Sequence, residues 1–144
     1  MVAFADTGFI VSLYLPESTS APARAAIQAT PAILPLTPLI LLELRNAFNR
    51  SVQQRRITLA QRDALWRDVE ADIASGFLVP TPVAAEALHK KARQLSDHHT
   101  PVLGTRSLDL LHVAAALLLE AREFFSFDER QRQAAALEGL RVKP

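Results

Sequence analysis

Short apolar runs separated by longer stretches of helical character constrain the fold of this chain more than any other feature. The runs at residues 2–5, 32–35, 77–80 and 123–127 show no regular alternation of polar and apolar side chains, and we predict a strand in each. Continuous apolar strands are covered on both faces, as in a parallel sheet between helices. With a last strand near residues 140–142, the order predicts an α/β fold, a three-layer α/β/α sandwich with a short, mainly parallel sheet.

Prolines, glycines and capping side chains set the limits of the predicted helices. Thr37-Pro38 and Thr81-Pro82 each place a capping side chain before a proline, which favours a helix start. The sequence contains neither an internal repeat nor a Gly/Ser-rich linker, so we expect one domain over residues 1–144. The predicted helices cover residues 9–15, 21–29, 38–54, 60–75, 83–95, 108–122 and 129–137, and a polar loop covers residues 96–105.

Composition limits the chemistry that the chain can perform. It contains no cysteine, which excludes a disulfide, a thiolate metal site and a cysteine nucleophile, so that any metal must be held by oxygen or imidazole. Sixteen basic and fifteen acidic residues leave a formal charge of +1, which neither favours nor opposes a polyanionic partner. The first residues lack a basic leader, and residues 108–119 are shorter than the roughly 20 residues of a membrane span. We therefore expect a cytoplasmic protein without a membrane partner.

Four acidic side chains end or interrupt the apolar segments. Asp6 and Asp128 follow predicted strands, and sites in open parallel sheets form at the carboxyl ends of strands, where strand order reverses. Glu43 borders the apolar stripe of its helix, and Asp109 lies in the first turn of another, so all four can converge. Converging carboxylates repel one another unless a cation is present, and Mg²⁺ or Mn²⁺ takes oxygen ligands. Such a site is typical of metal-assisted phosphodiester hydrolysis.

Each of these acids also has a local explanation. Asp6 and Asp128 can be ordinary helix N-caps, the latter with Gln131 completing a capping box. Glu43 can pair with an arginine of its own helix, such as Arg45 or Arg50. Taken singly, the acids do not decide between these explanations and a metal site.

The histidines and arginines have similarly open interpretations. We expect His112 to be a core histidine bonded to a backbone carbonyl rather than a metal ligand, because no second histidine stands at ligand spacing. His98 and His99 are expected to lie solvated in the polar loop. The densest basic stretch is either a solvated helix face or a surface that contacts phosphate groups: Arg50, Arg55, Arg56, Arg62 and Arg67.

Four motifs occur in an order that resembles a known family. They are Asp6-Thr7-Gly8-Phe9-Ile10-Val11, followed by Leu15-Pro16-Glu17; Leu42-Glu43-Leu44-Arg45-Asn46-Ala47; Arg106-Ser107-Leu108-Asp109-Leu110-Leu111-His112; and Phe125-Ser126-Phe127-Asp128-Glu129-Arg130. Together they resemble the PIN-domain nucleases, in particular the VapC-type toxins of prokaryotic toxin-antitoxin pairs. The resemblance covers essentially the whole chain, with Gly8 standing where asparagine or serine is common.

The resemblance implies an endoribonuclease that depends on Mg²⁺, with Mn²⁺ as an alternative, forms a homodimer and is inhibited by a cognate antitoxin. Carried over by position, the metal-binding and catalytic residues are Asp6, Glu43, Asp109 and Asp128, of which Asp6 and Asp109 are the expected direct ligands. Supporting residues that orient the acids or the RNA substrate would be Thr7, Asn46 and Ser126.

Two other classes of function compete with a nuclease. A catalytically inactive nucleic-acid or protein binding module on the same fold would use the acids structurally. A phosphoacceptor resembling a response receiver is disfavoured, because no adjacent acidic pair follows the first strand and Lys143 comes too late to lie beside Asp6.

Overall fold

The computed structural model describes residues 2–144 and alternates short strands with helices. In chain order, the elements are β1 (Ala3–Ala5), α1 (Thr7–Tyr14), α2 (Ser20–Ala29), β2 (Leu34–Leu36), α3 (Pro38–Gln53), α4 (Leu59–Ser75), β3 (Leu78–Pro80), α5 (Ala85–Leu103), α6 (Ser107–Leu118), β4 (Glu123–Phe125), α7 (Glu129–Leu137) and β5 (Arg141–Lys143).

All the strand pairings of the described residues are parallel. One sheet has the order β1-β4-β5 and a second pairs β2 with β3, while a parallel bridge between Val2 and Ile33 joins them. The combined order is β3-β2-β1-β4-β5, so the direction of the connections reverses between β1 and β4. In open sheets of this type, the crevice at the carboxyl ends of the two strands beside the reversal is the usual binding site.

The helices form two groups on the sheet. Helices α1 to α4 contact one another, and α5 to α7 form the other mutually contacting group. This division follows from right-handed crossovers, which put the connections leading towards β3 on one face and those leading towards β5 on the other. The predicted helix-covered, parallel α/β fold is confirmed.

Phenylalanines from β1, β4 and α1 form the centre of the core. Phe4 stacks on Phe124 with ring centroids 5.9 Å apart, and Phe9 contacts Phe125 at 5.1 Å. All four rings are fully buried. Burial of each contributes roughly 1.5–3 kcal/mol, so this cluster fixes the strand ends from which the acidic residues project.

The predicted polar loop over residues 96–105 is wrong, because α5 continues to Leu103. Its polar side chains find partners within the fold: Nε2 of His99 lies 2.7 Å from Oε1 of Glu138, and the Thr100 and Thr105 hydroxyls are 2.7 Å apart. His99 is accordingly buried rather than solvated. The helix ends at Gly104, whose φ of +65° is the left-handed conformation that glycine adopts without strain.

The start of α5 also differs from the prediction. The helix begins at Ala85 with Ala84 as its N-cap, and the hydroxyl of Thr81 donates instead to the carbonyl of Val79 at 2.7 Å. A capping side chain before proline therefore started α3, where Thr37 accepts a hydrogen bond from Ile40 N, but not α5. Helix α6 ends at Leu118, four residues before its predicted end at residue 122. No helix within residues 2–144 has the length and apolar character needed to cross a membrane.

Candidate active site

Asp6 lies at the reversal of strand order, between the end of β1 and the start of α1. Its carboxylate caps α1, because Oδ1 accepts a hydrogen bond from Phe9 N at 2.7 Å. Its other oxygen, Oδ2, accepts from the hydroxyl of Ser126 at 2.5 Å. The residue is only 2 % exposed. The capping interpretation is confirmed, and it leaves a carboxylate enclosed by the ends of two neighbouring strands.

The surroundings of Asp6 disfavour its negative charge. Burial raises the pKa of its carboxyl above the ordinary value, and this effect outweighs the hydrogen bonds from Ser126 and Phe9, which act in the opposite direction. The nearby charge of Asp128 raises the pKa further, whereas His112 lowers it. A cation close to this carboxylate would therefore be stabilising.

Ser126 connects Asp6 with Asp128. Its hydroxyl oxygen donates to Asp6 and accepts from the backbone N–H of Asp128 at 3.0 Å. Asp128 then caps α7 by accepting from Gln131 N at 2.9 Å, and its side chain is exposed at the surface. The supporting residue and the last acid of the sequence motif thus lie in one hydrogen-bonded turn after β4.

Gln131 connects α7 with Asp109 on α6. Its amide Nε2 donates to Asp109 Oδ1 at 3.1 Å, while Asp109 Oδ2 accepts from the backbone N–H of Arg106 at 3.0 Å. The predicted capping box at Asp128 is therefore wrong, because the side chain of Gln131 turns towards Asp109 instead of its own N-cap. Its Oε1 is buried without a hydrogen-bond donor among the described residues.

Glu43 on α3 meets Thr7 and His112. Its Oε1 accepts from the Thr7 hydroxyl at 2.8 Å and lies 2.8 Å from Nε2 of His112. Partial burial raises the pKa of Glu43, but the hydrogen bond and charge of His112, with the bond from Thr7, outweigh it, so the net pKa is lowered. The side chain of Glu43 is 26 % exposed, so this oxygen network reaches the surface.

The predicted partner of His112 is wrong, and the alternative in which Glu43 pairs with an arginine of its own helix is not observed among the described residues. His112 is buried, as expected, but its partner is the Glu43 carboxylate and not a backbone carbonyl, since α6 packs that ring beside Phe4 and towards α3. Glu43 does not pair with Arg45, whose guanidinium lies over the Trp66 ring at 4.8 Å. Nδ1 of His112 is buried and has no partner in residues 2–144.

A cavity of about 300 Å³ is lined by two of the four predicted acids, Glu43 and Asp109, and not by Asp6 or Asp128. Glu43 and Asp109 line it from different helices, and Thr7, Arg106 and Gln131 complete its walls. Gly8 also lines the cavity, and a Cβ atom at that position would lie 3.7 Å from Asp6 Oδ1. The buried carboxylate of Asp6 is thus close behind a wall that carries no side chain.

The oxygen atoms of this site are suitable ligands for a hard divalent ion, but each acidic side chain is held by its own hydrogen-bond partners. Carboxylate and hydroxyl oxygens are the ligands that Mg²⁺ and Mn²⁺ prefer. Within residues 2–144, however, no three histidine, cysteine, aspartate or glutamate side chains come close enough to hold one metal ion. Asn46, the third predicted supporting residue, is exposed on α3 and its side chain makes no hydrogen bond within that range. The site therefore contains side chains that can bind a metal ion, each engaged in hydrogen bonds with other residues.

Sequence reasoning missed the part that Gln131 and Arg106 play in this site. Gln131 is buried together with Ala134 and Ala135 of α7, and the only sequence signal was its position three residues after Asp128. Arg106 precedes α6 and holds Asp109 through its backbone.

In the arginine-rich stretch, Arg62 pairs with Asp63 at 2.8 Å and with Asn49 at 3.1 Å.

A comparison with models of known families identifies the family of this protein. A family model described as the PIN domain matches residues 3–137, and the chain belongs to that family. The family resemblance of the sequence motifs is confirmed. No curated protein matches the sequence significantly.

Solved structures share the fold along almost the whole chain. VapC20 of Mycobacterium tuberculosis, described as a toxin that cleaves the sarcin-ricin loop, is 20 % identical with a TM-score of 0.68, over 99 % of both chains. A toxin-antitoxin complex from Klebsiella pneumoniae is 16 % identical, with a TM-score of 0.64, over 99 % of this chain and 96 % of that one. FitAcB from Neisseria gonorrhoeae is 15 % identical, with a TM-score of 0.68 and the same coverage.

Proposed function

We propose that this protein is a divalent-metal-dependent endoribonuclease that hydrolyses RNA phosphodiester bonds and serves as the toxin of a toxin-antitoxin pair. The observation that supports this most is the cavity at the reversal of strand order, which Glu43 and Asp109 line and behind which Asp6 lies buried next to Gly8, in a chain of the PIN family. A cavity lined by oxygen ligands at this point of a parallel sheet suits a phosphate-bearing substrate.

The metal site would draw on the four acidic residues of the sequence motifs, with Mg²⁺ as the expected ion and Mn²⁺ as a substitute. Asp6 and Asp109 would be the direct ligands, with Glu43 and Asp128 completing the acidic site. When bound, the ion would activate a water molecule and neutralise charge on the phosphate. Because burial raises the pKa of Asp6, a nearby cation would remove an unfavourable interaction already present in the fold.

The remaining residues of the site would hold the acids in place. Ser126 fixes the rotamer of Asp6 through Oδ2, and Gln131 does the same for Asp109 through Oδ1. Thr7 and His112 both bind the same oxygen of Glu43 and leave Oε2 free for another contact. Partners of this kind orient metal ligands and tune their affinity. Asn46, exposed one turn after Glu43, would contact substrate rather than an acid.

The family and the names of similar structures support the proposed cellular role. Two of the similar structures are described as a toxin and a toxin-antitoxin complex. By analogy, we propose that a cognate antitoxin is a protein partner of this chain. We also propose a cytoplasmic homodimer. Val2, Ile33 and Val79 are exposed around an apolar cavity of about 360 Å³, and exposed apolar patches of this kind often mark protein interfaces.

Cleavage of RNA by the purified protein tests this proposal. The wild-type protein should cut single-stranded RNA in Mg²⁺ or Mn²⁺ and not in excess EDTA, and Asp109→Asn should abolish the cut. Asp97→Asn is the matched control, because Asp97 is exposed on α5 and lies outside the site. Cleavage that persists undiminished in EDTA, or in Asp109→Asn, would contradict the proposal.

A catalytically inactive binding module remains the second candidate, and one observation favours it. Each acid already has its own hydrogen-bond partner, and no three ligating side chains in the described part of the chain surround a common point. Such a protein would bind no divalent ion at these residues. Its melting temperature would be the same in Mn²⁺ and in EDTA, whereas a metal-binding nuclease would melt at a higher temperature in Mn²⁺.

A further inference from the structure

A second cavity, of about 380 Å³, opens beside the candidate active site between α5 and α6. The two cavities share Ser107, the first residue of α6. The volume is at the low end for small-molecule sites, so it suits one nucleotide-sized group. We call this cavity the α5–α6 groove, and the lining residues used in the argument are His89, Ala92, Arg93, Ser107, Leu110 and Leu111.

The floor of the α5–α6 groove is apolar and its rim carries an anchored imidazole. Ala92 and Leu110 are buried beneath it, and Leu111 is half-buried. Nδ1 of His89 lies 2.7 Å from the carbonyl oxygen of Ala85, a pure acceptor, so Nδ1 carries the hydrogen. The ring is thereby held in place, and its Nε2 has no partner within residues 2–144. A flat aromatic group placed against this floor would meet aliphatic carbon and one hydrogen-bonding nitrogen.

Each of the two cavities has an exposed arginine in its lining. Arg93 lines the α5–α6 groove and Arg106 lines the active-site cavity, and both are exposed without an ion pair to any described residue. None of the residues that line the groove is acidic. A guanidinium binds phosphate oxygens through forked hydrogen bonds, so these two arginines suit the phosphate backbone of a nucleic acid.

We propose that the α5–α6 groove binds the base of one nucleotide of single-stranded RNA, next to the phosphodiester bond held in the candidate active site, with Arg93 on a backbone phosphate. This inference rests on the proposed function, whose site it extends by one nucleotide. Proteins bind the bases of single-stranded RNA by stacking them on aromatic side chains, histidine included, and they hold extruded bases between aromatic and apolar side chains. The apolar floor, the anchored imidazole and the unpaired arginine match the base and phosphate of a nucleotide, and Ser107 lines both cavities.

Fluorescence anisotropy with two labelled probes tests this groove. The parent protein is Asp109→Asn in Mg²⁺, which leaves the RNA uncut, and the probes are a mixed-sequence single-stranded RNA of about eight nucleotides and an abasic oligomer with the same backbone. We expect His89→Ala to weaken RNA binding about five- to tenfold and abasic binding little, because only the base contact is lost. Arg93→Gln should weaken both probes, because it removes a phosphate contact.

Lys91→Gln is the matched control, since it removes one positive charge from the opposite side of α5 and Lys91 does not line the groove. RNA binding in which His89→Ala and Arg93→Gln equal Lys91→Gln would overturn the groove proposal and leave the ribonuclease intact. The same result would follow if the groove held a side chain of a protein partner. If no variant, including the parent, binds RNA, the groove proposal also fails. Metal-dependent cleavage by the wild-type protein then shows whether the proposed function fails with it.

Discussion

The hydroxyl of Ser126 donates a hydrogen bond to Oδ2 of Asp6 at 2.5 Å, although 120 residues separate them in the chain. The pairing joins the carboxyl ends of β1 and β4, the two strands between which the strand order reverses. Because both residues are buried, this contact holds the least solvated acid of the candidate active site in a single orientation.

Removal of the Ser126 hydroxyl should destabilise the protein. In Ser126→Ala, Asp6 loses a donor at a buried site, and an unsatisfied buried group costs about 1–3 kcal/mol. Urea unfolding followed by circular dichroism measures this loss. Ser18→Ala, at an exposed serine whose side chain has no hydrogen bond to a described residue, should change the free energy of unfolding little. Equal stabilities of the two variants would refute the importance of the Ser126–Asp6 contact.

Replacement of Asp6 by asparagine should change how stability depends on pH. Burial raises the native pKa of Asp6 above the unfolded value of about 3.9, so the native state holds the proton more tightly than the unfolded state does. The wild-type protein therefore loses stability as pH rises from the unfolded pKa through the native pKa. Asp6→Asn cannot lose that stability. In metal-free buffer, its unfolding free energy relative to the wild type should therefore increase from pH 4 towards pH 8. A relative stability that stays level or falls over this range would contradict the prediction.

Glu43 should have the opposite dependence on pH. Its native pKa is lowered despite partial burial, because His112 and Thr7 bind the charged form. The resulting stability is complete above the unfolded pKa of about 4.3 and disappears as pH falls through the lower native pKa. Glu43→Gln should therefore be less stable than the wild type at pH 6, with a difference that narrows towards pH 3. Thermal melts across this range measure the difference, and a gap that widens in acid would disprove it.

Gln131 should act on the candidate site through Asp109. Gln131→Ala removes the hydrogen bond that orients Asp109 Oδ1, and loss of such a partner usually costs 10- to 100-fold in metal affinity or activity, to the order of magnitude. Gln133→Ala is the control on the same helix, because Gln133 is exposed and, among residues 2–144, its side chain bonds only Glu129. RNA cleavage rates of both variants test this. Full activity in Gln131→Ala would show that Asp109 needs no partner on α7.

The sequence predicted those features that depend on local chemistry. Continuous apolar runs marked β1 and β4, and the acids that follow them proved to be helix N-caps at a reversal of strand order, as Asp6 and Asp128 show. The positions of Thr7 and Ser126 in the motifs also placed them beside acids, in agreement with their hydrogen bonds.

Features that depend on how distant helices pack were not predictable in the same way. His112 and Glu43 are 69 residues apart, and only the packing of α6 towards α3 makes them partners. The bond from Gln131 to Asp109 likewise depends on the contact between α6 and α7. The polar end of α5 looked like a loop because the partner that stabilises His99, Glu138, comes from another helix.

Calorimetric titration with Mn²⁺ measures whether the acidic residues of the candidate active site, which come from separate segments of the chain, together bind a divalent ion. The account predicts saturable binding by the wild-type protein, its loss in Asp6→Asn and in Asp109→Asn, and its retention in Asp97→Asn. At a Mn²⁺ concentration 100 times the Kd, binding should also stabilise the wild-type fold by about 2.7 kcal/mol. No binding by the wild-type protein, or binding that both site variants retain, would contradict the account.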